Sequence, residues 1–421
     1  ADVVDLSALG SAITFTLGST YSATFNGNTI TDAGRTIEIW MGGAGADTYN
    51  VTGTATNDVT LRGGSNSDTY NVTLGNLSGA VVIDDAASTT NVDVLNVTSS
   101  GSGAIRISDS TGDSRITQGT QVVRYDPGYN NLESINVIAT AAAVTITGPN
   151  SEVINLRRDF TVTAQSVAWT GRIHAGMVSF NTASTITVNY DVVARANGAI
   201  TLVNSAGDIH LNAGLYSAAD DGYIGNGNGT ITLTSGAGAI TTSGLGWRTG
   251  TGPAGFHTWL DWAIRFAKYT ESSVNFDNGR IEQAGAFGWE EILYTPNGTV
   301  LREANGAFIQ SKQGRLVLSA AQGVGQAVDG TQISPLAIFT QVAELSVNTP
   351  QTQSSYITEL DSVTNIASSA SGRLELVSLF GQQTVAQPIN TTLEVILSGN
   401  LIDLSRTVTS SNNIYIYPTN P

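Results

Sequence analysis

With 421 residues, 46 glycines, no cysteine and only 12% charged residues, the chain has the makeup of β-branched strands joined by many tight turns. Its 34 acidic against 18 basic residues give a formal net charge of −16, which disfavours nucleic acid and anionic membranes as partners, since both reward clusters of Lys and Arg. The missing cysteine excludes disulfides, thiol catalysis and Cys-ligated zinc, and no stretch approaches the ~18 apolar residues needed to span a bilayer.

The first residues, ADVVDLSALG, carry no basic n-region and no apolar h-region, so any secretion signal is expected to have been removed or to lie elsewhere on a longer precursor. Residues 1–100 contain one phrase twice, GGAGADTYN at 42–50 and GGSNSDTYN at 63–71. Between the copies run alternating stretches such as NVTGTATNDVTLR (50–62), whose period of two says strand. A third, eroded copy is read at NVDVLNVTS (91–99), where Asp93 follows Asp68 by twenty-five positions.

From 101 to 244 the alternation continues without the aspartate loop, in runs such as AAVTITGPN (142–150) and DFTVTAQSVAW (159–169). Between 198 and 244 a second phrase recurs as GAITL (198–202), GDIHL (207–211), GTITL (229–233) and GAITT (238–242). Its two-strand unit repeats after thirty-one residues. A Gly-x-apolar-x-apolar strand at such intervals is what a coil of parallel strands produces.

Composition shifts at 245–296, which holds Trp247, Trp259, Trp262 and Trp289, four of the six tryptophans. Phe256, Trp259, Leu260, Ala263, Ile264 and Ala267 fall at three-and-four spacings, which predicts an amphipathic helix over 255–269. This segment is expected to be an insertion on the side of a β-body. Its tryptophans either form a small core against that body or, if exposed, stack on sugar rings or anchor a protein partner. Residues 297–421 resume the repeat, with GRLVL (314–318) and GRLEL (372–376), and leave as an alternating strand, NNIYIYPTNP.

In a coil, equivalent positions of successive turns stack about 4.8 Å apart, so Asp47 and Asp68 are expected one above the other on the same corner. Two readings of this pair stand side by side. In one, a hard divalent cation lies between the carboxylates, with Gly43, Gly45 and Gly64 supplying left-handed turns that aim backbone carbonyls at it. In the other, the aspartates cap the corner by accepting hydrogen bonds from nearby backbone amides, as Asx-turns do.

GGAGADTYN resembles GGxGxDxUx, the calcium-binding nonapeptide of the RTX family of secreted bacterial proteins, and GGSNSDTYN matches it with Asn66 at the third glycine. The resemblance implies a parallel β-roll outside a Gram-negative cell, with Ca2+ held by Asp47, Asp68 and backbone oxygens. RTX repeats follow every nine residues, two to a turn, whereas here each stands alone in a twenty-one-residue period, so at most one edge could hold calcium. The stretch from about 198 to 410 is similar in texture to the repeats of filamentous-haemagglutinin-type exoproteins. That likeness implies a right-handed parallel β-helix of fibres and adhesins and names no functional residue.

Catalytic readings are weaker. His174, His210 and His257 show no metal-ligand spacing, and His210, between Ile209 and Leu211, is expected to face solvent from a strand. Asp84–Asp85, Asp220–Asp221 and Glu290–Glu291 are adjacent pairs, which a strand sends to opposite faces. Only Asp220–Asp221, in a loop-like stretch, escapes that objection.

The fold expected is all-β, an elongated right-handed parallel β-helix with an RTX-like part at 1–100, helix coils at 101–244, a small helical Trp-rich insertion at 245–296 and a continuation at 297–421. The function expected is non-enzymatic: a fibre, surface-layer or adhesin segment of the bacterial exterior. Neither terminus reads as a cap, so the chain is expected either to self-associate end to end or to continue in a longer repetitive protein. The alternatives are a polysaccharide lyase or hydrolase with its site beside the Trp-rich insertion, and a glycan-binding module.

Overall fold

The computed structural model describes residues 1–85, 91–108, 114–125, 132–148, 153–156, 159–219, 227–242, 281–285, 288–294, 300–302, 308–326, 337–359, 362–366, 369–378 and 381–418. Every regular element among them is a strand, and most strands pair in parallel. The chain divides into two compact units, Ala1–Ala183 and Ser184–Pro421. The arrangement is compatible with a β-solenoid.

In the first unit, the repeated phrase sets the register. Thr48–Val51 pairs in parallel with Thr69–Leu74, so that Thr48 faces Thr69, Tyr49 faces Tyr70 and Asn50 faces Asn71. Val94–Ser99 takes the next rung, with Val94 beside Thr69, then Ser134–Thr147, Asp159–Trp169 and Met177–Thr182. A second ladder runs through Asp2–Asp5, Ile37–Met41, Val59–Arg62 and Val81–Ile83.

Alternation decides which side chains enter the core. In Thr69–Leu74, the residues Tyr70, Val72 and Leu74 are buried while Thr69, Asn71 and Thr73 are half-exposed. Stacked coils therefore build columns of like residues. Phe15 stacks on Tyr49 at 4.3 Å between ring centroids, and Tyr49 on Tyr70 at 5.0 Å. Each fully buried side chain of this size contributes about 1.5–3 kcal/mol relative to an exposed one.

On the outer face Asn71 donates to Asn50, Asn96 to Asn71 and Asn136 to Asn96, each at 2.9 Å. Asn50, Asn71 and Asn96 head Asn-x-Thr triplets, and their side chains tie coil to coil.

Two features of this unit lie outside a purely parallel expectation. Thr14–Leu17, Tyr21–Phe25 and Asn28–Asp32 form an antiparallel meander, turning at Asn26 and Gly27 with φ of 47° and 76°, the left-handed pair a tight hairpin demands. The meander covers the free edge of Thr14–Leu17. Its polar outer strand shields that edge, whereas Asp2–Asp5 pairs with Ile37–Met41 on one side and Val3 is 50% exposed. A second meander, Ile105–Ser108, Ser114–Gln118 and Gln121–Tyr125, sits between coils.

In the second unit the thirty-one-residue repeat appears as register: Ile200 pairs with Ile231 and Ile209 with Ile240. The GRLVL strand follows, with Leu316 beside Ile231 and Leu345 beside Leu316. The GRLEL strand places Leu374 beside Ser355 and Val395. Asn413–Pro418 pairs in parallel with Ile389–Gly399, and all six of its residues are exposed.

The helix expected at 255–269 lies outside the described residues, and the described part of 245–296 gives it no support. What is described there and just beyond is an antiparallel sheet of Ile281–Gly285, Gly288–Tyr294 and Val300–Arg302. The described elements of the segment are therefore strands, Ile281–Gly285 and Gly288–Tyr294.

Candidate functional site

Asp47, Asp68 and Asp93 each sit immediately before a core strand, at a point where the backbone bends out of the ladder. Strand pairing already uses the carbonyls there: Thr69 N donates to Asp47 O and Val94 N to Asp68 O, both at 2.9 Å. The amides of the corner residues themselves would be left over. The carboxylates accept them: Ile13 N donates to Asp47 Oδ1 at 2.7 Å, Asp47 N to Asp68 Oδ1 at 2.6 Å, and Asp68 N to Asp93 Oδ1 at 2.7 Å. Asp93 N then donates to Glu133 Oε2 at 2.8 Å.

The expected stacking of Asp47 on Asp68 is what the structure holds, and Asp93 is their third rung. The amides differ from those of an Asx-turn two residues on. Except for Gly43, four positions back, they belong to neighbouring coils, because coil-to-coil spacing brings a carboxylate within reach of the next coil's corner.

Glu133 was not foreseen. Its signal is the phrase ESINV, which matches the phase of DTYNV and DVLNV with a longer acid, displaced by the intervening meander to a separation of 40 residues.

The glycines serve close approach more than turning. A Cβ on Gly45 would lie 2.4 Å from Ala12 N, and one on Gly43 2.2 Å from Leu9 O. Gly64 alone of Gly43, Gly45 and Gly64 has left-handed φ, at +103°, and Asn66 shares that region at 70°.

The first two rungs differ at one atom. Asp47 Oδ2 accepts from Gly43 N at 2.8 Å, which leaves both of its oxygens occupied. One coil on, Gly64 N donates instead to Asp85 Oδ1 at 3.1 Å, and Asp68 Oδ2 is buried without a hydrogen-bond partner. Asp85 Oδ2 accepts from the Tyr70 hydroxyl at 2.5 Å. Asp68, Asp85 and Asp93 are 1%, 4% and 2% exposed, and each places a carboxylate oxygen within 4.8 Å of the others.

Burial pushes the Asp68 carboxyl up to about 8, with Asp85, Asp47 and Asp93 adding repulsion against the opposing Asp47 amide. Asp93 is pushed up to about 7, again first by burial and then by Asp85 and Glu133. Asp47 is raised by burial, with the Gly43 and Ile13 amides pulling the other way. The cluster also lifts the hydroxyls of Tyr49 and Tyr70, after burial has done most of that work.

The other candidates are not brought together. Asp84 and Asp85 point apart: Asp84 forms an ion pair with Arg62 at 2.7 Å near the surface, whereas Asp85 turns inward. The pair cannot act as two catalytic carboxylates. Asp220–Asp221, His257, Trp247, Trp259 and Trp262 lie outside the described residues, and Trp289 and Glu290–Glu291 are placed only as positions on Gly288–Tyr294.

His210 is half-exposed between buried Ile209 and Leu211, with Nδ1 at 2.7 Å from Thr241 Oγ1. No helix among the described residues is long and apolar enough to cross a membrane. The chain matches no protein-family model, no curated protein and no solved structure.

Proposed function

We propose that the chain is a non-enzymatic structural segment of a bacterial cell exterior, a right-handed β-solenoid that adds coils either from a second copy or from further repeats of one long chain. The observation that carries this reading is the strand Asn413–Pro418. It pairs with Ile389–Gly399 on one side, and Ile414, Tyr415, Ile416 and Tyr417 are 43%, 36%, 39% and 52% exposed. A strand with apolar residues exposed on both faces is a template for the next strand.

The ladders of Asn, Asp and Tyr support the same reading, because they reward one more coil of similar sequence at every step. The acidic, lysine-poor composition fits a saline exterior.

Sedimentation and negative-stain imaging over a range of concentrations test the proposal. Species that lengthen with concentration, and that Ile416→Lys suppresses, are expected. A monomer at every concentration refers coil addition to a longer chain, which a longer fragment carrying the native following sequence then has to bear out by burying Ile414–Tyr417. Release of reducing sugar or unsaturated uronate from a polysaccharide panel would overturn the structural reading altogether.

A further inference from the structure

We infer that Asp68, Asp85 and Asp93 form a buried site for one divalent cation of calcium's size, one coil beyond Asp47 and distinct from a loop site of Asp47 and Asp68. This inference stands whether or not the coils assemble. Three observations carry it.

The first is the unpartnered oxygen. Asp68 is 1% exposed and its Oδ2 has no hydrogen-bond partner, an arrangement that leaves a buried acceptor uncompensated. In the preceding coil the equivalent oxygen of Asp47 takes the Gly43 amide. The corresponding amide of Gly64 is diverted to Asp85, which frees Asp68 Oδ2.

The second is geometry. Oxygens that share a cation with bonds of about 2.4 Å lie no more than about 4.8 Å apart, and the three carboxylates meet that limit. Space beside Asp68 Oδ2 depends on Gly63: a Cβ there would come within 2.1 Å of Asp68 Oδ2 and 2.6 Å of the Tyr70 hydroxyl. The missing side chain leaves room for both oxygens on one side of the corner, and the Tyr70 hydroxyl bonds Asp85 on that same side.

The third is charge. Three carboxylates gathered out of water repel one another unless protons or a cation neutralise them. All three ligands are oxygen and none is nitrogen or sulfur, a donor set that suits a hard cation over zinc or copper. Asp47 lies outside the group of three whose oxygens approach within 4.8 Å of one another.

The test uses the whole chain, stripped with EDTA and titrated with CaCl2 and separately with MgCl2 in a calorimeter, followed by thermal melting. Saturable binding of one Ca2+ per chain, weaker binding of Mg2+ and a raised Tm are expected, since a ligand of the native state alone must stabilise it. Asp85→Asn and Asp93→Asn are each expected to weaken Ca2+ binding by roughly tenfold or more, because affinity follows ligand charge.

Asp403→Asn, at an exposed site of the second unit, should change nothing. If an Asp variant fails to fold, the Ca2+ titration and melting of the wild-type chain decide the matter. Absence of heat and of any Tm shift at millimolar Ca2+ would overturn the inference, as would undiminished binding in folded Asp85→Asn and Asp93→Asn.

Discussion

Particular corners of the two units meet the same difficulty with different chemistry. Wherever a coil bends, a backbone group drops out of the ladder and must be paired, because a buried amide or carbonyl without a partner costs about 1–3 kcal/mol. At one corner of Ala1–Ala183 the leftover groups are N–H, and ionisable acceptors take them: Asp47, Asp68, Asp93 and Glu133 in sequence.

In Ser184–Pro421 carboxylates still accept amides at Asp191, Asp208 and Glu359, but several bends are served by neutral groups that donate as well as accept. Ser311 Oγ donates to Gly229 O at 2.7 Å, Ser217 Oγ to Gly198 O at 3.2 Å, and Gln383 Nε2 to Ser398 O at 2.7 Å. Ser217 Oγ also receives the Gly229 amide. Thr349, Ser355 and Ser371 form a buried hydroxyl cluster with contacts of 3.0 to 3.4 Å. A hydroxyl serves both partners and carries no charge, so these hydroxyl corners are indifferent to pH and cations. A carboxylate corner responds to both.

The comparison can be broken first at its heaviest point. Tyr49→Ala removes a fully buried ring stacked between Phe15 and Tyr70, and a cost of about 3–5 kcal/mol is expected. Hydrogen exchange by mass spectrometry should show protection lost across Thr48–Val51 and its neighbours. Protection in the second unit should hold, since coils transmit stability mainly to adjacent coils.

A pair of substitutions at Asp68 then separates hydrogen bonding from charge. Asp68→Ala leaves the buried Asp47 amide without its acceptor and should cost about 1–3 kcal/mol by chemical denaturation. Asp68→Asn keeps an oxygen for that amide and removes one of three clustered charges. With EDTA present at pH 8 it is expected to be neutral or stabilising, and a loss equal to that of the Ala variant would refute the account of the corner.

The pH dependence follows from the raised carboxyls. Asp68 and Asp93 hold their protons up to about 8 and about 7 in the folded chain but ionise near 4 when unfolded. Between about pH 4 and 8 the native state therefore binds more protons, and stability falls as pH rises. In EDTA, the first unit should lose protection steadily across this window while the Ser311 and Ser371 corners do not. A protection profile that is flat, or that rises with pH, would contradict the burial assigned to these two acids.

The smallest effect is expected on the outer face. Asn71→Ala breaks two links of the half-exposed Asn ladder and should cost about 0.5–1.5 kcal/mol, comparable with Ser355→Ala in the hydroxyl cluster of the second unit. A much larger loss at Asn71 would mean that the ladder, and not the aromatic column, dominates coil stacking.

Much of the fold was legible because coil-to-coil pairing repeats what the chain repeats. The interval between Asp47 and Asp68 is the register of Thr48–Val51 on Thr69–Leu74, and the thirty-one-residue unit is the register of Ile200 on Ile231. Alternation likewise set which side of each strand is buried, and it placed Asp84 and Asp85 on opposite sides. The N-terminal hairpin was less visible, although Asn26–Gly27 between alternating runs is a hairpin signal.

The sequence by itself determined the repeating parallel strands and the corner where Asp47 and Asp68 stack, with Asp93 as an eroded third copy, because those follow from local alternation and a recurring interval. Only the tertiary structure decided which oxygens remain free. Asp85 comes from the other strand of the coil, and its entry into the corner depends on the Gly64 amide, the Tyr70 hydroxyl and the space left by Gly63. Such a meeting across the coil has no period to announce it, since it is set by how far one bend reaches toward another.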